Sequence, residues 1–417
     1  MSQSIATRRH SQTGRALLWT NLLNEPLFTL YGFLAFILYK DLGASPFQIA
    51  LMTMLKPVIT ILSFYWSSGL GGRKKLKPNV LWAGFFMRAP FLLCPWIDSS
   101  WYVIASAVNY MFFYRAGQPA WLEILRKNIG KGRERAFSVS AGLGYVEGVA
   151  LSLGMGALLD QDPTVWRGLL CGAAILGFLS LMIQSRIEVD EGDGGEEEIG
   201  LREKLVRPWR DSWQLIRKRP DFAKFQWGFM ICGFGVMLIQ PALPLFAVDS
   251  LGISYLEMAA AVSIAKGLGF AFSSGFWGRW MERESILKVS SAVFLTFALF
   301  PLILCLSVWG AFWLYVAYFW YGVGQGGSHL VWNMSGPIFA GKEESSRYSG
   351  VNVVLAGLRG AVAPPLGGFL AVGIGSVQVL LMGGALCLYS GLRMLQGKQE
   401  KLAKKIAPKG AVQINPF

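Results

Sequence analysis

Histidine is nearly missing from this chain of 417 residues, which holds only His10 and His329, and charged residues make up just 15% of it. No Asp falls inside a long apolar run, and no His, Cys and acid cluster has metal-ligand spacing. The groups needed for acyl transfer, intramembrane hydrolysis or metal-assisted chemistry are therefore absent, so neither an enzyme nor a metal or cofactor is expected. The five cysteines, Cys94, Cys171, Cys232, Cys305 and Cys387, sit singly in apolar runs. That spacing excludes a disulfide framework and suits small buried hydrophobes. No Asn-x-Ser/Thr sequon falls in an expected outer loop; Asn333-Met-Ser335 lies within or at the inner end of an apolar run.

What the chain has in excess is apolar surface. It is 53% hydrophobic and 14% aromatic, with a mean hydropathy of +0.43, well beyond a soluble domain. The surplus needs lipid to cover it. A net charge of +14 would suit nucleic acid if Lys and Arg clustered on a water-facing domain. Instead they stand in short gaps between apolar runs, where they report membrane orientation.

Taking about 20 apolar residues per crossing, twelve spans begin near Ala16, Pro46, Val80, Trp101, Ala136, Trp166, Phe225, Tyr255, Ile286, Gly310, Tyr348 and Gly375. The basic tail Met1 to Arg15 precedes an apolar stretch too long for a signal-peptide core, so that stretch is read as the first span. Alternate gaps carry Arg73-Lys74-Lys75, Arg126 to Arg135, Arg202 to Lys224, Arg279 with Arg283, and Lys342 with Arg347, while the intervening gaps offer only Lys40 and Arg167. The positive-inside rule then puts both termini in the cytoplasm. Residues 1–15 form a tail, 16–184 a six-helix half, 185–224 a linker, 225–395 a second half and 396–417 a second tail. The linker is acidic from Glu188 to Glu198, then basic and Trp-bearing from Leu201 to Arg219. Its second part suits a helix lying on the bilayer.

The two halves repeat. Leu42-Gly-Ala-Ser-Pro-Phe-Gln-Ile-Ala50 matches Leu251-Gly-Ile-Ser-Tyr-Leu-Glu-Met-Ala259. Ser67-Ser-Gly-Leu-Gly-Gly-Arg73 aligns with Ser273-Ser-Gly-Phe-Trp-Gly-Arg279, Phe112-Phe-Tyr-Arg-Ala-Gly-Gln118 with Phe319-Trp-Tyr-Gly-Val-Gly-Gln325, and Gly130-Lys131 with Gly341-Lys342, at separations of 206 to 211 residues. Such self-similarity means two copies of one six-helix unit.

On these motifs the chain resembles the major facilitator superfamily over essentially its whole length. That resemblance implies an all-α membrane fold of two parallel six-helix pseudo-repeats, with substrate bound at mid-membrane between them. It also implies a gating loop, seen here as Gly278-Arg-Trp-Met-Glu282-Arg283; the first-half counterpart around Arg73 has lost its acid. Arg115-Ala-Gly-Gln is similar to a family motif whose Arg serves proton coupling. The Gly-Pro motif of drug-proton antiporters is missing from Gly148 to Leu159.

Ionisable side chains inside spans are costly and so are functional candidates. Lys56 and Lys266 lie about ten residues into the second and eighth spans, roughly 15 Å deep at 1.5 Å per residue. As near-equivalent cations they call for an anion or carboxylates between them. Basic residues in these two helices are similar to the nitrate porters; sugar-phosphate antiporters use the first and seventh. Glu147 and Arg359 are a second near-equivalent pair; the resemblance implies that the fifth helix neighbours the eighth and the second the eleventh, which would let Glu147 pair with Lys266 and leave Lys56 and Arg359 as an open positive face. Either these residues touch substrate or they strut the interface between the halves. Glu25, in Asn21-Leu-Leu-Asn24-Glu-Pro26, is a candidate proton carrier with Glu147 and Arg115. Asn21 and Asn24 either bond substrate or cap a Pro-kinked helix, and Arg88 is expected to be structural. Tyr318, Tyr321, Gln325, His329 and Trp332 share one helical face by their spacing of three and four. That face either lines a cavity or packs helices.

The expectation is a monomeric, proton-coupled symporter of a small or medium organic anion, with no nucleic-acid partner, in a bacterial inner membrane. Export of an amphipathic compound or lysolipid is the alternative, and a transporter-like receptor would share the sequence features.

Overall fold

Glycines and capping side chains cut the apolar runs into helices close to the expected places. The computed structural model describes residues 2–69, 76–129, 133–189 and 201–395. Its first half holds α1 (Ser2–Lys40), α2 (Pro46–Gly69), α3 (Leu76–Arg88), α4 (Ser100–Asn128), α5 (Arg133–Gln161) and α6 (Trp166–Ser185). After α7 (Leu201–Lys218) come α8 (Pro220–Leu238), α9 (Ala242–Leu245), α10 (Tyr255–Ala259), α11 (Lys266–Arg283), α12 (Ile286–Cys305), α13 (Ala311–Ala340), α14 (Ser345–Ile374) and α15 (Ser376–Leu395). A turn joins α8 to α9, and the π-helical segment Ala260–Ala265 joins α10 to α11, so each pair forms one long rod. Among the described residues there is no strand, and eight helical stretches are long and apolar enough to cross a membrane.

The repeat is visible atom by atom. Gly43 and Gly252 both adopt a left-handed turn, with φ of 57° and 59°, a region that costs other residues a clash at Cβ. The turn closes with Leu42 N–H donating to Ile37 O at 3.2 Å and, 209 residues on, Leu251 N–H to Phe246 O at 3.2 Å. A reciprocal cap then starts the next helix in each half. Gln48 Oε1 accepts from Ser45 N–H at 2.8 Å while Ser45 Oγ accepts from Gln48 N–H. Glu257 Oε2 accepts from Ser254 N–H at 2.8 Å while Ser254 Oγ accepts from Glu257 N–H.

Within the first half α1 packs on α5 and α6, and α3 on α4; within the second, α12 packs on α13 and α15, and α11 on α13. Between the halves α2 packs on α14 and α5 on α10. Small residues permit these approaches, as is usual where lipid supplies no hydrophobic drive. A Cβ at Gly360 would strike the Pro57 ring, and one at Gly368 the Ala50 methyl. Helix α7 forms where the sequence expects it and lays Leu215 and Ile216 against the second-half core, with Trp213 outward beneath Arg217.

Candidate functional site

Two features stand out, a latch between the halves and a polar cavity in the first half. The latch gathers at the ends of α1 and α5 and the start of α10. Lys40 Nζ lies 4.0 Å from the Asp160 carboxylate, which accepts the backbone N–H groups of Tyr255 at 2.7 Å and Leu256 at 2.9 Å. A carboxylate at a helix N-terminus is favourable because the first N–H groups there have no partner in the helix. The Tyr255 hydroxyl donates to Asp41 Oδ2 at 2.6 Å, and its ring sits edge-on to Phe36 and 4.6 Å beneath the Lys40 ammonium. Tyr39 donates to Asp249 at 2.5 Å. Burial pushes the Asp41 carboxyl above its ordinary range, against the opposing pull of Tyr255 and Lys40. Deeper, Ser263 donates to the Ser152 hydroxyl at 2.7 Å and Tyr145 to the Ser263 carbonyl at 3.0 Å. These contacts run from mid-helix to the end remote from the chain start.

The cavity holds about 400 Å³ and is walled by α1, α3, α4, α5 and α6. Thr20, Asn21, Asn24, Glu25 and Phe28 come from α1, where Pro26 removes an N–H and leaves the preceding turn's carbonyls open to other partners. Asn21 donates to Ser140 Oγ of α5 at 2.6 Å. Arg88, only 2% exposed, donates to Asn24 Oδ1 at 2.6 Å, to Ser180 Oγ at 3.3 Å and to the Gly84 carbonyl. Its Nε has no partner, and among the described residues no carboxylate pairs with it. A buried guanidinium without a counter-ion carries a desolvation cost of several kcal/mol. On the same cavity's lining the Glu25 carboxylate rests in a niche made by two glycines: a Cβ at Gly148 would stand 2.6 Å from Oε1, and one at Gly144 3.8 Å from Oε2. Glu25 makes no hydrogen bond or ion pair with the described residues. Glu147, beside Gly148, is within its electrostatic reach, and Glu147 Oε2 is buried without a hydrogen-bond partner.

The sequence candidates fall into groups. Lys56 stands mid-way along α2 beside Pro57, at the seam with α14, and its side chain lies outside the described residues, as do Arg73, Gly130 and Lys131. Lys266 opens α11 half-buried, its carbonyl against Gly322 of α13. Arg359 departs from the expected open positive face. It is 8% exposed, donates to the Phe229 carbonyl at 2.8 Å and stacks 4.9 Å over the Phe229 ring inside the second half. Glycine at 233 clears the space, since a Cβ there would strike the guanidinium. Arg115 on α4 is half-buried with an unpartnered Nε. The α13 face divides: Tyr318 and Tyr321 pack against Phe300 at 5.7 and 4.8 Å, Trp332 tilts onto Phe229 at 5.8 Å, while Gln325 and His329 are exposed. Gly278, Glu282 and Arg283 lie at the end of α11, the two charges exposed.

The sequence reading makes Arg88 structural and leaves Asn24 either to bond substrate or to cap a kinked helix; in the structure the two bond each other. The latch residues Tyr39, Asp41, Asp160, Asp249 and Tyr255 were not singled out at all. One signal was available: Lys40 is one of two basic residues in the otherwise uncharged-to-acidic outer gaps.

Solved transporter structures superpose on this fold. A POT family transporter in complex with 5-aminolevulinic acid superposes with a TM-score of 0.72 at 11% identity, covering 95% of this chain and 97% of that one. The nucleoside transporter NupG gives 0.66 at 14%, covering 91% and 99%, and a peptide transporter POT in complex with sulfate gives 0.69 at 13%, covering 94% of each. At such identities the likeness speaks for the fold alone. No curated protein matches the sequence. Residues 17–364 match the family model of the Major Facilitator Superfamily, and with the helical architecture this identifies the chain as a member of that superfamily, a membrane transporter and not an enzyme.

Proposed function

We propose that the protein is a monomeric secondary transporter that works by alternating access, is driven by protons and carries a small or medium organic acid. The observation that carries this reading is the latch: it closes one end of the interface between the halves while a polar cavity stands on the other side of it. Because the basic gaps lie at the opposite end, the positive-inside rule makes the latch the outer gate. The conformer is then closed to the outside and open to the cytoplasm, where both termini lie, and a bacterial inner membrane is the fitting home.

Glu25 and Glu147 carry the coupling proton in this scheme, and Arg115 on α4 serves the coupling. Lys56 and Lys266, with Gln325 and His329 of the α13 face, form the substrate surface of the central cleft, while Tyr318, Tyr321 and Trp332 of that face back it by packing on Phe300 and Phe229. Arg359, held by Phe229, contributes positive potential instead of direct contact. Gly278, Glu282 and Arg283, with Arg73, act at the inner gate. Fold neighbours whose ligands are 5-aminolevulinic acid, peptides and nucleosides are consistent with a solute of this size.

The test is uptake into proteoliposomes of radiolabelled organic acids, phosphate esters and neutral analogues under imposed pH gradients. Wild type should accumulate acids with the proton gradient, and Lys56→Ala, Lys266→Ala and Glu25→Gln should each lose that accumulation. Preference for neutral or cationic amphiphiles, with the variants unchanged, would overturn the reading in favour of amphiphile export.

A further inference from the structure

We infer that the first-half cavity is a two-ended site for a zwitterionic solute, its ammonium seated at Glu25 and its acidic group drawn to Arg88. The inference rests on the transport reading above and adds an amine to the acidic solute it names.

Both ends of the cavity are electrostatically unanswered by the protein. Glu25 has neither a hydrogen bond nor an ion pair with the described residues, and the neighbouring Glu147 oxygen is buried without a donor. Arg88 is held by neutral oxygens from Asn24, Ser180 and Gly84, with no carboxylate to balance it. Charges buried in this way demand partners. A proton neutralises one carboxylate and does nothing for Arg88. A simple anion answers Arg88 and is repelled by the carboxylates. A zwitterion satisfies both ends and adds no net charge to the cavity.

Space and span agree with charge. The glycines at 144 and 148 seat the Glu25 carboxylate against α5 with no side chain beside it, and Glu25 and Gly144 both line the cavity, where a compact ammonium with three donors can meet the carboxylate. Tyr110 lines the cavity together with Arg88 and Glu25, so a small molecule inside it shares one enclosure with both charges. Its ring stacks on Tyr31 at 5.1 Å and on Tyr114 at 6.0 Å, which fixes that wall. A volume of about 400 Å³ suits an amino acid or short peptide and lies at the small end of ligand pockets. With the amine at Glu25, Glu147 holds the coupled proton while solute is bound, and Glu25 shares that role only in the empty cavity.

Binding to the purified full-length protein, followed by thermal shift at fixed pH, tests this with matched probes: 5-aminolevulinic acid, levulinic acid without the amine, the methyl ester without the acid, and alanyl-alanine with its N-acetyl and methyl-ester forms. The zwitterions should bind at least tenfold more tightly than either singly charged relative. Glu25→Gln should erase the preference for the amine and Glu25→Asp restore part of it, whereas Arg88→Lys should weaken the preference for the acid. Glu147→Gln should keep binding and lose proton-driven uptake. Equal binding of levulinic acid and 5-aminolevulinic acid, or unchanged selectivity in Glu25→Gln, would overturn the inference while leaving proton-driven acid transport standing. Absence of proton-driven uptake of any acid would instead defeat the transport reading itself.

Discussion

Arg88 and Arg359 are both more than nine-tenths buried, and neither pairs with a carboxylate among the described residues, yet they sit differently. Arg88 lines the cavity; Arg359 is folded away over Phe229. Each guanidinium is given its space by a glycine on a neighbouring helix, Gly177 on α6 for the first and Gly233 on α8 for the second. The sequence shows that a charge lies in a span, but its direction depends on gaps left by other helices, so spacing alone does not give where either guanidinium points. The same logic predicts that Gly148→Val, whose side chain would collide with the Glu25 carboxylate, lowers proton-driven uptake at least tenfold with little change in melting temperature, as measured on purified protein and proteoliposomes. Arg219 offers a contrast of stability without transport chemistry. It binds Asp221 through two hydrogen bonds of 3.0 and 3.1 Å, the Tyr348 hydroxyl at 2.7 Å and the Phe339 carbonyl at 3.1 Å. Arg219→Ala should cost roughly 2–3 kcal/mol of stability, since hydrogen bonds to charged groups are worth about 1.5–3, and should appear as a lower melting temperature.

At the scale of elements the sequence was most readable. Helix starts at Pro46, Trp166, Tyr255 and Ile286 fall where the apolar runs and caps put them, because caps are local chemistry. The Ser-x-x-Gln and Ser-x-x-Glu boxes and their preceding glycines repeat across the halves for the same reason. The latch was not readable, because it joins residues more than 90 positions apart in sequence, such as Asp160 and Tyr255. Asp160→Ala removes the carboxylate from the α10 N-terminus and should weaken closure by about 1 kcal/mol. A cysteine placed at the outer end of α5 should then react several-fold faster with an impermeant thiol reagent.

For the whole molecule, the latch makes the conformational balance sensitive to outside pH. Closure raises the Asp41 carboxyl above its ordinary range through burial, so the closed form holds that proton more tightly. The sign follows from linkage: closure is favoured in acid, and this contribution fades as pH rises through the raised value. Asp41→Asn should flatten the pH dependence of outer-end accessibility, while Lys40, Asp160 and Tyr255 remain to hold the gate. The central claim is that this latch must open and close in each cycle. Its most direct test is a reversible lock in a background where the five native cysteines are replaced: Gly156→Cys with Ala259→Cys, positions where the Gly156 Cβ would lie 3.2 Å from the Ala259 Cβ, near the separation a disulfide bridges. Oxidation should abolish solute uptake and reduction restore it; undiminished uptake with the latch covalently shut would contradict alternating access through this gate.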